Sequence, residues 1–421
     1  MKLIELNFLE KFECIGGDCP QLCCQKFKIT VDADVVKAWS KLEDISGEGT
    51  LDQHIVQAEE KGQNFNYLQL TQQGDCELLT SDGWCQAQTK YGHDVLPEIC
   101  RTYPRSEKKS ALVEVKTATF SCPVVTQKVL FENNKLDYNV DLAKLFLVDR
   151  PIIANKNDKI SVLLAEFVSA VFQLKKVPIN LKLFYIAQSV GVMNDCIIKQ
   201  GFNEEQLRQI LAKPKDVLFS IGRELKTKKF MVDPVTAGSY WKNIAQLFFA
   251  REVKLDCVDL EKSPIMQLCT QSLQQESKES LVHDAARNNE AEFEHYRKIY
   301  TQILDYKKYW QDNRPDYMGS LLERYIISSF INKGFPLHPQ DQQFAATLVF
   351  VMTVASAIQL ALWVTYKESP NTVPSEQQLQ QIFYHIESTI GHTDSIYQRL
   401  ATDPHMVQIN RYAQVFVDLF V

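Results

Sequence analysis

Eight of the chain's eleven cysteines lie between positions 14 and 122: Cys14, Cys19, Cys23, Cys24, Cys76, Cys85, Cys100 and Cys122. The first four form a C-x4-C-x3-C-C array in Phe12-Glu13-Cys14-Ile15-Gly16-Gly17-Asp18-Cys19-Pro20-Gln21-Leu22-Cys23-Cys24. A thiolate is a soft anionic ligand, suited to zinc and to iron–sulfur clusters. Close spacing lets one loop offer several sulfurs to one ion, and Gly16-Gly17 supplies the backbone freedom for that turn. Adjacent Cys23 and Cys24 cannot both point the same way in a regular element, so one ligates while the other faces a second site or the core. Zinc and a four-iron cluster each take four ligands, so eight cysteines suffice for one or two sites. The spacing does not choose between the metals. The radical-type C-x3-C-x2-C pattern is absent, because Lys26 stands where its third cysteine would fall.

The alternatives to a metal are disulfides and buried core thiols. Met1-Lys2-Leu3-Ile4-Glu5-Leu6 has no apolar signal region, so the reading is cytoplasmic and reducing, where disulfides are rare. Core thiols are common elsewhere, but not at this density beside paired glycines. A net charge of −6, with no Lys/Arg block, gives no basis for a nucleic-acid partner. Hydrophobic content of 45% with 23% charged residues is that of a soluble globular chain.

Cys100-Arg101-Thr102-Tyr103-Pro104-Arg105 is the second unusual string. Two arginines beside a ligand either neutralise a thiolate-rich site or hold a carboxylate or phosphate in fork geometry. The eight histidines are dispersed, with no H-x-x-x-H pair. Tyr296, Tyr300, Ile303 and Tyr306 recur at helical spacing and read as core or groove lining. No Rossmann fingerprint, P-loop or serine elbow occurs.

Positioning these residues calls for two textures. Residues 1–132 read as a small cysteine-rich α+β metal-binding module, and 133–421 as a large all-helical domain, so the fold class is mainly α. In the first part the pattern predicts strands at 3–13, 27–31 and 68–70, and helices at 33–45 (capped by Asp32), 51–60 and 95–103. It also predicts a turn at Asp82-Gly83, a strand pair at 112–115 and 117–120, and a helix beginning at Pro123. Later helices are expected at 123–132, 159–174, 181–198, 203–225, 235–252, 285–311, 318–332, 342–366, 375–390 and 404–420, with Pro214 splitting the fourth. The 342–366 segment carries no Lys, Arg, Asp or Glu and is long enough to span a bilayer. Thr347, Thr353, Ser356, Gln359 and Thr365 interrupt it, so it reads as a buried central helix, with peripheral membrane association the alternative.

The array Phe12-x-Cys14-x4-Cys19-x3-Cys23-Cys24, with Cys76-x8-Cys85, Cys100-Arg101-x-Tyr103-Pro104-Arg105 and Ser121-Cys122-Pro123, resembles the flagellin lysine-N-methylases. These belong to a wider group of zinc- or iron-chelating cysteine-cluster proteins. The resemblance covers residues 8–125 and continues weakly through Leu322-Glu323-Arg324-Tyr325 and Gly334-Phe335-Pro336. It implies a bacterial cytoplasmic enzyme that moves a methyl group from S-adenosylmethionine to flagellin lysines. It also implies a 4Fe-4S cluster held by this cysteine motif, with zinc as the alternative metal. The implied partner is flagellin, with a homo-oligomer left open. It does not say which four cysteines ligate, and it places no S-adenosylmethionine motif. A lysine ammonium must lose its proton before methyl transfer, and burial or a neighbouring cation promotes that loss. Tyr103, Glu323 and Tyr325 are the candidate catalytic residues. Arg101 and Arg105 are the candidates for holding the cofactor carboxylate. The competing classes are a non-catalytic metal-chelating or metal-delivery protein and a metal-stabilised interaction scaffold.

Overall fold

The computed structural model describes residues 2–25, 27–60, 62–132, 136–141, 144–149, 151, 153–175, 177–211, 233–247, 318–337, 344–368 and 374–391, with isolated positions at 218–223, 294–312 and 397. Helices dominate these residues, and the fold is mainly α.

The chain opens with strand β1 (Lys2–Glu5). Strands β4 (Arg105–Lys109) and β5 (Val113–Ala118) come much later, yet they form one sheet with it in the order β1-β5-β4. β1 runs parallel to β5 with Lys2 opposite Val113, and β4 runs antiparallel with Arg105 opposite Ala118. Val113, Val115 and Thr117 alternate inward from β5, as a one-sided sheet requires. Lys2 Nζ anchors the edge by donating to the carbonyls of Leu145 (2.9 Å) and Leu147 (2.6 Å). The expected strand pair at 112–120 is therefore a single strand. Its partner, Arg-Ser-Glu-Lys-Lys at 105–109, has no apolar alternation to betray it.

Helix α4 (Pro123–Thr126) starts at Pro123 as expected and runs into a π-helical turn, Gln127–Phe131. Then come α5 (Lys156–Phe172), α6 (Ile179–Gln200), α7 (Glu204–Ile210), α8 (Pro234–Leu247), α9 (Met318–Asn332), α10 (Phe344–Glu368) and α11 (Glu376–Ile386). Their starts have local causes. Asn155 and Asp158 make a capping box for α5, and Ser375 and Gln378 do the same for α11. α10 is the central helix and packs against α6, α8, α9 and α11. Several of its polar side chains are hydrogen-bonded inside the fold, although Gln359 Oε1 and Trp363 Nε1 are buried without a hydrogen-bond partner. Ser356 Oγ lies 2.6 Å from Tyr240 OH, and Thr365 Oγ1 donates to the Ala361 carbonyl at 2.8 Å. By length and composition α6 and α10 are long and apolar enough to cross a membrane. However, α10 is buried throughout the 18-residue window that meets this criterion, as a core helix is. The helix expected at 404–420 and most of 285–311 lie outside the described residues.

A second, smaller core gathers Ile29, Val31, Trp39, Leu51, Leu68, Cys76, Leu78, Ala87 and Leu96. Around it lie α1 (Ala33–Trp39), the hairpin of β2 (Ile55–Glu60) and β3 (Gln63–Leu68), α2 (Gln86–Tyr91) and α3 (Glu98–Thr102). The helix expected at 51–60 is instead a 3-10 turn, Leu51–His54, followed by β2. Full cross-strand pairing with 63–68, closed by Gly62 at φ +77°, outweighs the local helical pattern. The strand expected at 27–31 is reduced to isolated bridge residues, Phe27 and Thr30, the latter opposite Tyr67. Asp32 precedes α1, and its carbonyl accepts from the Val36 N–H at 3.0 Å, but its side chain does not cap the helix. Its Oδ2 accepts from the Glu98 backbone N–H at 2.9 Å and so serves the start of α3.

Candidate functional site

The cysteine loop is built from two short 3-10 turns, Gly16–Asp18 and Cys23–Gln25. Gly16 takes φ +54°, and its N–H points at Cys14 Sγ, 3.4 Å away. The facing turn, 80–84, is pinned by Thr80, whose N–H donates to the Trp84 carbonyl at 2.9 Å and whose Oγ1 accepts from the Trp84 N–H at 3.0 Å. It carries the expected Asp82-Gly83 corner. The two turns meet backbone to backbone. A Cβ on Gly17 would stand 2.3 Å from the Asp82 carbonyl oxygen, and one on Gly83 would stand 2.8 Å from Gly17 Cα. The glycines of the cysteine loop thus serve this contact as well as the turn itself. A further tie runs from the Cys76 N–H to the Cys24 carbonyl, 2.8 Å.

No described cysteine is in a disulfide, and the eight of the array fall into two groups. Cys24, Cys76, Cys85 and Cys100 pack on the small core, while Cys122 is buried in the large one. Electrostatics follow the same division. Cys24 donates to Cys23, which lowers the Cys23 pKa and raises that of Cys24. Burial pushes Cys76 up to about 11, with Cys85 and Cys23 adding to the rise. Burial also raises Cys100, assisted by Cys23, Cys76 and Cys85. In the other group burial pushes Cys122 up to about 12 against the N–H groups of Val125 and Val124, with Cys19 and Cys14 adding to it. Thiols kept protonated chiefly by burial are groups that a bound cation would ionise. By residue type these thiols suit a soft metal ion, but their placement does not form a complete site. Among the described residues no three His, Cys, Asp or Glu side chains converge closely enough to hold a metal ion. Cys196 lies on α6 away from both groups, and Cys257 and Cys269 fall outside the described residues.

Tyr103 stands at the seam between the groups. Its OH pairs with Ser121 Oγ at 3.0 Å, and its ring lies 5.7 Å from that of Phe27. Burial, then the neighbouring Cys122, Cys23 and Cys19, pushes its phenol well above the ordinary range. Arg101 is exposed on α3. Arg105 donates from Nη2 to the Phe12 carbonyl at 2.9 Å and lies over the Phe12 ring, so it fastens β4 to the approach of the cysteine loop.

Glu323 and Tyr325 do not meet these residues or each other. Glu323 pairs with Lys182 of α6 at 3.6 Å. Tyr325 is wholly buried between Phe120 and Phe383 and donates to Glu387 Oε1 at 2.5 Å. Glu387 begins a π-helical turn, Glu387–Gly391, and a Cβ on Gly391 would stand 2.1 Å from its other oxygen. The sequence reading missed Glu387, for which a buried carboxylate on an amphipathic helix leaves no signal. It also missed the end of α11, where His385 Nδ1 lies 3.0 Å from Gln21 Nε2 and Cys19 adds to the burial that pushes Tyr384 up to about 12.

No family model matches the chain, and no solved structure is similar to it. Three curated proteins are. The lysine-N-methylases of Salmonella typhimurium and Salmonella choleraesuis are each 27% identical over 127 residues, 30% of this chain and 32% of theirs. The flagellar biosynthetic protein FliU of Salmonella muenchen is 26% identical over 127 residues, 75% of its length. The match thus spans about a third of the length of the lysine-N-methylases. Over that stretch, the resemblance read from the cysteine array is supported by independently named relatives.

Proposed function

We propose that the protein is an S-adenosylmethionine-dependent methyltransferase acting on lysine side chains of flagellin, with a cysteine-held 4Fe-4S cluster. The observation that carries this reading is the similarity to two lysine-N-methylases and to FliU, whose name is flagellar. Cys24, Cys76, Cys85 and Cys100, with Cys23 beside them, are the thiols best grouped to hold the cluster. Cys14, Cys19 and Cys122 form the second group. A bound cluster would supply positive charge that ionises these thiols and fixes the loops bearing them. Tyr103 lies between the groups, where its hydroxyl can accept or orient a hydrogen bond. Arg101 is the exposed cation nearest Cys100 in sequence, and it could hold a carboxylate. Arg105 is already bonded to Phe12 and fits a structural role better.

The test is anaerobic purification with iron, sulfide and zinc analysis, followed by incubation with flagellin and labelled S-adenosylmethionine. Four irons and label on flagellin lysines are expected. Label absent from flagellin in the iron-loaded protein would overturn the enzymatic reading. A structural zinc on four thiols of the small core is the second reading, favoured by their packing on one small core. Stoichiometric zinc with no labile sulfide would select it.

A further inference from the structure

Of the five tryptophans, Trp39, Trp241, Trp310 and Trp363 are at most 2% exposed, whereas Trp84 is 48% exposed. Its indole lies across Gly16 and Gly17. A Cβ on Gly16 would stand 2.4 Å from the ring carbons, and one on Gly17 would stand 3.1 Å from Nε1. Any side chain at either position would displace the ring, so the paired glycines form a seat for it. Three hydrogen bonds with Thr80 hold the Trp84 backbone in place. Ile15, also exposed at 40%, extends the apolar surface next to Cys14.

The charged residues within the two segments that meet here are acidic, with Lys11, Lys26, Lys61 and Lys90 just outside them in sequence. Residues 12–25 carry Glu13 and Asp18 and no Lys or Arg, and residues 62–89 carry Asp75, Glu77 and Asp82 and no Lys or Arg. Glu13, Asp18 and Asp82, which flank the glycines and the tryptophan in sequence, are all exposed. An indole face attracts a cation, and nearby carboxylates add to that attraction while an apolar neighbour receives the alkyl stem.

We infer that Trp84, seated on Gly16-Gly17 and rimmed by Glu13, Asp18 and Asp82, is a docking surface for a lysine-bearing segment of the protein substrate. The inference rests on the proposed lysine methylation and adds where the lysine segment first binds. The surface recognises the ammonium form. Proton loss belongs to a later, more buried position.

The test uses the full chain, metal-loaded. A fluorophore-labelled flagellin monomer is titrated and read by anisotropy, beside the same flagellin carbamylated at its lysines. Acrylamide quenching of tryptophan emission then reads Trp84, the one exposed indole, in the presence of a capped lysine heptapeptide or its norleucine counterpart. Protection by the lysine peptide alone is expected, together with weaker binding in high salt. Trp84→Leu keeps an apolar cover on the glycines but removes the π face, and should weaken flagellin binding about five-fold. Asp18→Asn and Asp82→Asn should each weaken it about two-fold. Ile198→Ala, at an exposed site on α6, should leave binding unchanged. Equal protection by both peptides, or binding by Trp84→Leu equal to wild type, overturns the inference. If Trp84→Leu does not fold, unaltered affinity and salt dependence in both Asp variants overturn it instead. Wild-type protein that binds flagellin through Trp84 but transfers no methyl group would sink the enzymatic reading and leave the docking surface standing. Methyl transfer with binding insensitive to Trp84 and both aspartates would do the reverse.

Discussion

The two cores of this molecule are held by different means. The large one runs from β1 through β5 to the helices around α10, and aromatic side chains pair within it. Trp241 lies 4.8 Å from Trp363, and Tyr325 lies 5.4 Å from Phe383. The small one, within residues 27–100, has only nine buried members, one of them a cysteine. A unit of about 70 residues with so small a core gains little net stability from burial alone. Cys76 belongs to that core and Cys24, Cys85 and Cys100 pack against it, while Cys122 is buried in the large one. On the proposed metal reading, a metal held by those sulfurs would add to the stability of the small region, and the large region would not depend on it.

Metal removal should separate the two most sharply. Structural metal sites supply folding free energy on the order of 10 kcal/mol. Anaerobic chelation, or Cys76→Ser, should therefore abolish protection from hydrogen exchange across residues 27–100 while α9 and α10 stay protected. If both regions lose protection together, or neither does, the division into a metal-dependent and a metal-independent core is wrong.

This division was only half legible in the sequence. The eight cysteines, the Asp82-Gly83 turn, the Pro123 start and the buried helix at 342–366 are local signals, carried by residue type and spacing. Which core each cysteine joins is not local. Cys122 follows a strand whose neighbours are residues 2–5 and 105–109, and only that pairing puts it in the large core. The β2–β3 hairpin was hidden because Ile55, Val56 and Ala58 sit at spacings a helix also uses. Glu323 and Tyr325 are two residues apart on a helix, and so they face different neighbours, Lys182 and Glu387.

The converse perturbation acts on the large core. Phe383 packs between Phe131, 6.2 Å away, and Tyr325, and it is fully buried. Phe383→Ala should cost about 3–5 kcal/mol, by lost transfer free energy plus the cavity left behind. Denaturant melts should show the loss while metal content stays normal. Metal loss in the folded variant would mean that the cores are coupled more tightly than their separate packing suggests.

A smaller effect is expected where the cysteine loop meets the 80–84 turn. Gly83 takes φ +85° and its Cα faces Gly17, so Gly83→Ala combines backbone strain with a clash. A cost of about 1–3 kcal/mol is expected, read as faster proteolysis near residues 14–24 and 80–85. Gly62→Ala, at a similar φ but with nothing within 4 Å of its Cβ, should cost less. Equal costs at the two sites would show that the close approach contributes nothing beyond strain.

The finest distinction is in acid, where the cores should respond with opposite sign. Asp44 of the small region is buried, which by itself raises its pKa. The side chain and N–H of Ser46 and the His54 imidazole, 2.8 Å away, outweigh burial and hold it well below the carboxylate range. A depressed folded pKa contributes stability that is present above the unfolded value, about 3.9, and is lost as pH falls toward the folded one. Glu387 of the large region is shifted the other way. Burial raises it from 4.5, against the opposing effects of Lys333 and Tyr325. A carboxyl with a raised folded pKa binds its proton more tightly when folded, so stability rises as pH falls from neutrality through that raised value and levels off near the unfolded one. Hydrogen exchange corrected for intrinsic rates, followed from pH 7 to pH 3, should show residues 42–54 losing protection below pH 4. Over the same descent α9 and α11 should gain slightly before any global melting. Asp44→Asn should flatten the first trend alone, and Glu387→Gln the second alone. If either variant flattens both, one cooperative acid transition governs the whole molecule and the cores are not electrostatically independent.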